Sequence, residues 1–266
     1  MIIVGSHAII KPVMKIISWN INALRAHEMV FRNVIQQEKP DIFCLQEIRA
    51  REDQLDIRVE GYKSYLNPAT LSQYYGTGVL VKNNIHPLSI TFDPPVRSHD
   101  YEGRIEAIEF EDFFLVNSYW PFSSTKEFLQ WRLEWNKLFN DFVQKLQQSK
   151  PVVICGDTNM VRGPLDAYDK EYIKKAPCFY PEEHEAFEKF LKEQHLIDSY
   201  RYLHPDGTAQ SEWPYGKSNI YRKIRQGFRI DHFLISEDLI SQVQSSDVLE
   251  QYEGPDHCPI SLDIEP

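Results

Sequence analysis

Apolar residues recur along this chain in two periods, and chemically interesting residues cluster where the shorter period breaks. Short runs of β-branched and other apolar residues predict strands at 14–21, 41–47, 78–82, 104–110, 113–119, 152–157, 228–236 and 259–264. Such runs, bounded by polar turn residues, suit strands buried on both faces. Glu111 and Asp112 separate two of them as a tight hairpin turn. Over 125–148 the spacing changes to three and four: Phe128, Trp131, Trp135, Leu138, Phe139, Phe142, Val143 and Leu146 predict a helix with one core-facing side. A second helix is predicted after Pro181, with Glu182, Glu183 and Glu185 in its first turns and Ala186, Phe187, Phe190 and Leu191 facing inward. A third is predicted over 29–38.

Strands and helices mix without strict alternation, which favours an α/β (α+β) fold of two mixed sheets packed face to face with helices outside, rather than a doubly wound sheet. There is also a two-part rhythm. The first half runs strand, helix, strand, hairpin and the second runs helix, strand, helix, strands, as two similar layers would. No Gly/Ser or Pro-rich linker divides the 266 residues, so a single domain is expected over 14–266. Residues 1–13 are expected to be an extension outside it, with Met14 a candidate natural start. No stretch approaches the roughly 18 apolar residues of a membrane span, and the N-terminus lacks the features of a leader. Cys44, Cys155, Cys178 and Cys258 have no metal-like spacing, so a cytoplasmic protein without a membrane partner is expected.

Five segments carry polar residues at or near strand ends: SWNIN (18–22), LQE (45–47), GDTN (156–159), RID (229–231) and GPDH (254–257). Taken singly, Glu47 is more simply a solvated strand end and Asn20 or Asn159 a turn residue. Jointly they ask for another reason. If one end of the sheets collects Glu47, Asp157, Asp231 and Asp256, each pair at about 4 Å repels by roughly 4 kcal/mol at an effective dielectric of 20. A cation relieves this, and carboxylate and amide oxygens without cysteine suit magnesium or manganese. That combination points to phosphoryl chemistry. The net charge of −10 argues against a nucleic-acid partner, whose phosphates attract lysine and arginine. Against this stands YRKIRQGFR (221–229), with Arg222, Lys223, Arg225 and Arg229 and no acid. It reads either as a stripe that tracks phosphates or as a solvated charge run.

In order, KIISWNINALRA, DIFCLQE, EGRI, SYWP, ICGDTN, GFRIDHFLIS and DHCPI resemble the exonuclease III family of abasic-site (AP) endonucleases, within the endonuclease/exonuclease/phosphatase superfamily. The resemblance spans residues 15–260 and implies a DNase I-like four-layered α/β sandwich. It implies a Mg2+- or Mn2+-dependent, monomeric DNA repair nuclease acting on double-stranded DNA that is damaged or carries 3′ ends. Carried over by position, Glu47 is the principal metal ligand, with Asn22 and Asp256 nearby and Asn20 orienting them. Asp157 takes the proton of the attacking water, Tyr119, Asn159 and His257 hold the phosphate, and Asp231 holds the His257 ring. The DNA-contacting candidates are Arg104, Phe122, Trp213, Arg222 and Phe228, with a strand-edge salt bridge an equal reading for Arg104.

Several positions depart from the family pattern. Phe122 stands where asparagine is usual, Pro255 where serine is, and Ala23 where glycine is. The loop 160–178 is short of asparagines, and the aromatic wall is reduced to Trp213 and Phe228 with Pro214 and Tyr215 beside them. These departures spare the catalytic set and fall on residues that choose the DNA. AP-site incision therefore competes with a 3′-end exonuclease or 3′-repair phosphodiesterase. A phosphatase or phospholipase of the superfamily, or a silent nucleic-acid binder, is less well matched, because Glu47, Asp157 and His257 are all present.

Overall fold

The computed structural model describes residues 12–54, 57–70, 74–92, 102–169 and 179–265. Its strands are β1 Met14–Asn20, β2 Ile42–Gln46, β3 Tyr62–Asn67, β4 Thr77–Lys82, β5 Ser89–Phe92, β6 Ile105–Glu109, β7 Phe114–Ser118, β8 Val152–Asp157, β9 Leu196–Asp198, β10 Asp231–Ser236, β11 Val243–Val248 and β12 Ile260–Ile264. The helices are α1 Glu28–Glu38, α2 Lys126–Gln147, α3 Pro181–Glu193, α4 Ser199–Leu203 and α5 Ser218–Lys223. Two six-stranded sheets result, ordered β11-β12-β1-β2-β4-β3 and β5-β6-β7-β8-β10-β9.

The two sheets repeat one scheme. In the first, β1 and β2 are parallel across α1, flanked by antiparallel β12 on one side and β4 then β3 on the other. In the second, β7 and β8 are parallel across α2, flanked by antiparallel β6 on one side and β10 then β9 on the other. The sandwich of two mixed sheets expected from the sequence is the architecture observed.

Strand alternation builds the layers. In β2, Ile42 and Cys44 join the core between the sheets, while Phe43 and Leu45 turn outward to meet Phe31, Val34 and Ile35 of α1. In β8, Val153 and Cys155 face the same intersheet core, while Val152 and Ile154 meet Trp135 and Phe139 of α2 and Phe187 and Phe190 of α3. Near the sheet ends a polar network replaces the apolar core. Gln46 donates to Ser18 Oγ (3.0 Å) and Asn117 Oδ1 (2.6 Å), and Asn117 donates to Leu45 O (3.1 Å), Gly78 O (3.2 Å) and Glu106 (3.0 Å). These bonds tie one sheet to the other and fix the relative position of their ends.

Two expectations need correction. The strand predicted at 228–236 begins only at Asp231, because residue 228 leaves the sheet to pair with Ala167 and Glu212. Helix α2 is present, but its buried side carries Leu129, Arg132, Trp135, Asn136, Phe139, Phe142 and Val143. Its first turns are rotated by about one residue, roughly 100°, from the expected face, so Phe128 is exposed and Trp131 only half-buried. The cause is Arg132. It is fully buried, stacks on Trp120, and donates to Pro121 O, to Thr158 O (2.7 Å) and to Asn136 Oδ1 (2.8 Å).

Candidate active site

The predicted strand-end residues converge on a cleft of about 690 Å3 between the ends of the two sheets, with Glu47, Tyr119, Asp157, Asn159, Asp256 and His257 in its wall. Local backbone constraints put them there. Gly156 has φ +131°, and a Cβ at that position would lie 1.9 Å from Ser118 O. Only glycine lets β8 approach β7 this closely immediately before Asp157. Asn22, Glu47, Arg49 and Asn159 all adopt left-handed φ values near +45°, which turns the chain sharply at the strand ends.

Asn20 joins the two halves. Its Nδ2 donates to Glu47 Oε1 and to Asp157 Oδ2, both at 2.9 Å, while its Oδ1 accepts from Asn22 N at 3.1 Å. Asn22 Nδ2 donates to Asp256 Oδ1 at 2.7 Å. Asp157 Oδ1 accepts from Asn159 N at 2.8 Å, and Asn159 Nδ2 is anchored on Trp120 O at 2.9 Å. Asp231 Oδ2 accepts from Ser211 Oγ at 2.6 Å and lies 2.9 Å from His257 Nδ1, while His257 Nε2 is 3.8 Å from Asp157 Oδ2.

The electrostatics follow from this packing. Burial pushes the Asp157 carboxyl up to about 7; His257 opposes the shift, and Asp231 and Glu47 reinforce it. Burial works against a charged His257 ring, yet Asp231 and Asp157 beside it raise it well above the usual histidine value. Tyr119 is raised by burial and by the neighbouring Glu47 carboxylate, with Arg104 acting in the opposite sense.

The donor set bears on a divalent cation. With its NH2 turned to Glu47 and Asp157 and its carbonyl to Asn22 N, Asn20 has both ends of its amide engaged within the protein. Glu47, with Asp256 and Asn22 beside it, makes an open site of the kind magnesium fills with one or two carboxylates, water and a substrate phosphate. Among the described residues no group of three or more His, Cys, Asp or Glu side chains is placed to hold a metal ion, and the fit to a hard cation rests on the oxygen chemistry of these donors.

The DNA-contacting candidates divide. Phe122, 43% exposed, and Phe228 line the cleft. Trp213 does not: it is buried, with Nε1 on Gln210 Oε1 at 3.2 Å. Its neighbours Glu212, Pro214 and Tyr215 form that wall instead. Arg222 stacks on Trp213 at 3.9 Å and donates to Tyr252 O (3.2 Å), Pro255 O (3.3 Å) and His257 O (3.0 Å). Its guanidinium clamps the His257 loop and does not reach outward. Arg104 is buried, paired with Glu102 and Tyr119 O and stacked against Tyr75, Tyr119 and Trp131, which favours the salt-bridge reading.

The basic stripe divides as well, with Lys223 and Arg225 at the surface. Arg225 pairs with Glu250, and Arg229 is buried against Asp166 and Asp198. Of the loop 160–178, residues 170–178 lie outside the described residues, as do Cys178 and the N-terminal residues 1–11. Arg49 and Glu212 escaped the sequence reading. Arg49 donates through Nε (2.7 Å) and Nη2 to Glu47 Oε2, and its only sequence signal was its place two residues after the acid.

Clustered carboxylates with an aspartate-held histidine and an open cation site define a hydrolytic phosphodiesterase. Residues 17–251 match the Endonuclease/Exonuclease/phosphatase family, and the chain belongs to it. The exodeoxyribonuclease of Bacillus subtilis (strain 168) is 37% identical over 255 residues, covering 94% of this chain and 99% of that protein. The DNA repair nuclease APEX1 of Danio rerio is 35% identical over 259 residues, covering 94% and 81% respectively. Among solved structures, the Xenopus laevis APE2 catalytic domain superposes with a TM-score of 0.82 at 26% identity, covering 95% of this chain and 92% of that one. The 3′ phosphatase NExo from Neisseria, bound to a product DNA hairpin, gives a TM-score of 0.85 at 23% identity, covering 95% and 100%, a likeness of fold. Divalent-metal dependence is general in the family. Among the described residues no helix is long and apolar enough to cross a membrane.

Proposed function

We propose that this protein is a Mg2+-dependent DNA repair nuclease, with Mn2+ as a substitute, that hydrolyses DNA phosphodiester bonds at abasic sites and at damaged or unmodified 3′ ends. The observation that carries this is the convergence of Asp157, Asn159, the His257–Asp231 pair and Glu47 on one cleft. Glu47, with Asp256 and Asn22 beside it, would hold the cation, whose chemistry there would be to neutralise charge on the phosphate oxygens. Asp157 is fixed by Asn20 and Asn159, and its pKa of about 7 suits a base that takes the proton from a water attacking phosphorus. His257 is kept charged by Asp231 and donates to the phosphate, joined by the Tyr119 hydroxyl and the Asn159 amide as charge grows on the equatorial oxygens.

A reading weighted toward 3′ ends is favoured by Phe122, an exposed ring in the cleft able to stack on a base. The test is a cleavage panel: duplex with an internal abasic analogue against duplex with a recessed or nicked 3′ end, in Mg2+, with Asp157→Ala as control. Cleavage of neither substrate by the wild type, or undiminished cleavage by Asp157→Ala, would overturn the assignment.

A further inference from the structure

The cleft contains one acid that phosphodiester hydrolysis does not use. Glu212 is held between two site residues: its N donates to Phe228 O at 2.9 Å, its O accepts from Phe228 N at 2.8 Å, and its backbone bridges to His257. Its side chain lines the cleft with Phe122, Tyr215 and Phe228. No hydrogen bond to its half-buried carboxyl is found among the described residues. Burial raises this carboxyl to about 8; His257 opposes the shift, and Asp256, Asp157 and Asp231 support it.

A polar group so placed needs a partner from the substrate. The cleft volume of about 690 Å3 lies within the range of roughly 300–1,000 Å3 that receives ligands larger than a lone sugar. The aromatic wall offers stacking faces. Each normal DNA base presents an N–H on its pairing edge, and a carboxyl oxygen is a suitable acceptor for it. A natural abasic sugar offers only its C1′ hydroxyl there, and its tetrahydrofuran analogue offers no donor and leaves the acid without a partner once water is excluded.

We propose that Glu212 is a specificity-determining residue that accepts a hydrogen bond from the base of the nucleotide being released, so that the cleft favours a base-bearing 3′ terminus over an abasic sugar. This rests on the nuclease reading and gives its substrate preference a structural source.

The test compares kcat/KM of the full chain on a recessed 3′ end carrying thymidine, the same end carrying a difluorotoluene nucleotide, and an internal tetrahydrofuran site. Difluorotoluene keeps the shape of thymine without its N–H. The wild type should prefer thymidine to difluorotoluene by about tenfold or more, because a site built to hydrogen-bond discriminates strongly against the analogue that cannot. Glu212→Leu should abolish that preference and shift relative activity toward the tetrahydrofuran site. Glu212→Gln keeps an acceptor oxygen and should retain most of the preference. Equal wild-type rates on thymidine and difluorotoluene ends overturn the proposal without touching the nuclease assignment, and so does an unchanged ratio in Glu212→Leu. If Glu212→Leu fails to fold, the wild type and Glu212→Gln on the two 3′ ends decide the matter. Absence of any DNA cleavage by the wild type overturns the assignment beneath it and this proposal together.

Discussion

The half built on β1, α1 and β2 and the half built on β7, α2 and β8 share a plan, yet they place acids of different character at the same position. Glu47 directly follows β2 and Asp157 closes β8, each on the second strand of a parallel pair. Glu47 meets a positive partner, the Arg49 guanidinium. Asp157 takes its hydrogen bonds from amides, has its cation, His257, only at 3.8 Å, and lies among other carboxylates that, with burial, hold its pKa up at about 7. One acid is therefore suited to hold a cation and the other to accept a proton. Topology brings both to the cleft, and the difference between their neighbours is what supports the proposed division of roles.

The largest expected effect tests that division. Asp157→Asn should lower kcat by about 10³-fold or more with KM little changed, the signature of a lost proton acceptor. Glu47→Gln should lower activity in a way that raised Mg2+ partly restores. Steady-state kinetics over a Mg2+ series checks both. Recovery of Asp157→Asn by metal, with none for Glu47→Gln, would invert the assignment.

Each half also depends on an arginine that grips loop carbonyls, but the two are buried to different degrees. Arg132 is fully enclosed and holds the loops that carry Tyr119 and Asp157. Arg222 is half-buried over Trp213 and holds the His257 loop. Removing Arg132 leaves Glu183, whose carboxylate lies 3.8 Å away, buried without its cation, so Arg132→Met should cost about 3–5 kcal/mol of stability. Arg222→Met should cost only about 1–2 kcal/mol. Urea unfolding monitored by tryptophan fluorescence measures both, and equal losses would remove the distinction.

These clamps also show what could be read from sequence and what could not. The eight predicted strands are the eight interior strands of the two sheets. The four missed, β3, β5, β9 and β11, are the four edges. Interior strands are covered on both faces and read as apolar runs. Edges such as SITF and VQSSDV are partly solvated and lack that contrast. The site acids were legible because each follows such an apolar run. The arginines were legible as charge only: a guanidinium has five donors that phosphate or backbone carbonyls satisfy equally well, and sequence does not name the partner. Trp213 was misplaced for a related reason, since adjacent residues in extended backbone face opposite ways and Glu212, not Trp213, faces the cleft.

Acid stability should separate the halves as well. In β10, His232 stands opposite Gly156; the strand in the same place in the first half, β4, has Thr77 and Gly78 opposite Gln46 and Leu45 and offers no such group. Burial and the nearby Arg229 lower His232 to about 4. Between pH 6.5 and 4 the unfolded chain therefore binds more protons than the folded one, so the stability conferred by neutral His232 is complete above pH 6.5 and declines as pH falls toward 4. The expected loss is about 3 kcal/mol across that window. Asp198 is held well below the usual carboxylate range by Arg229 and His232 despite its burial, and adds its own loss at lower pH. Denaturant midpoints measured from pH 7 to 4 should show this slope in the wild type, and His232→Gln should flatten it. An unchanged slope would place the acid sensitivity elsewhere.

The smallest expected effect concerns the residue two beyond each acid: Arg49 after Glu47, Asn159 after Asp157, both with left-handed backbone. Asn159 supports its acid through a backbone N–H, leaving both charge states accessible. Arg49 covers Glu47 Oε2 with a positive side chain while Asn20 holds Oε1, so a cation reaching Glu47 shares its oxygens with these donors and meets a like charge at Oε2. Arg49 is the movable partner, since its side chain is 27% exposed whereas Asn20 is fully buried. Competition between like charges is screened at that exposure, which leaves about 1 kcal/mol of the Coulomb attraction to overcome. Arg49→Ala should accordingly tighten Mg2+ or Mn2+ binding about fivefold, read by calorimetry on the DNA-free protein. Weaker binding in Arg49→Ala would mean that Arg49 positions Glu47 as Asn159 positions Asp157, and the two halves would then differ less at this point than their charges suggest.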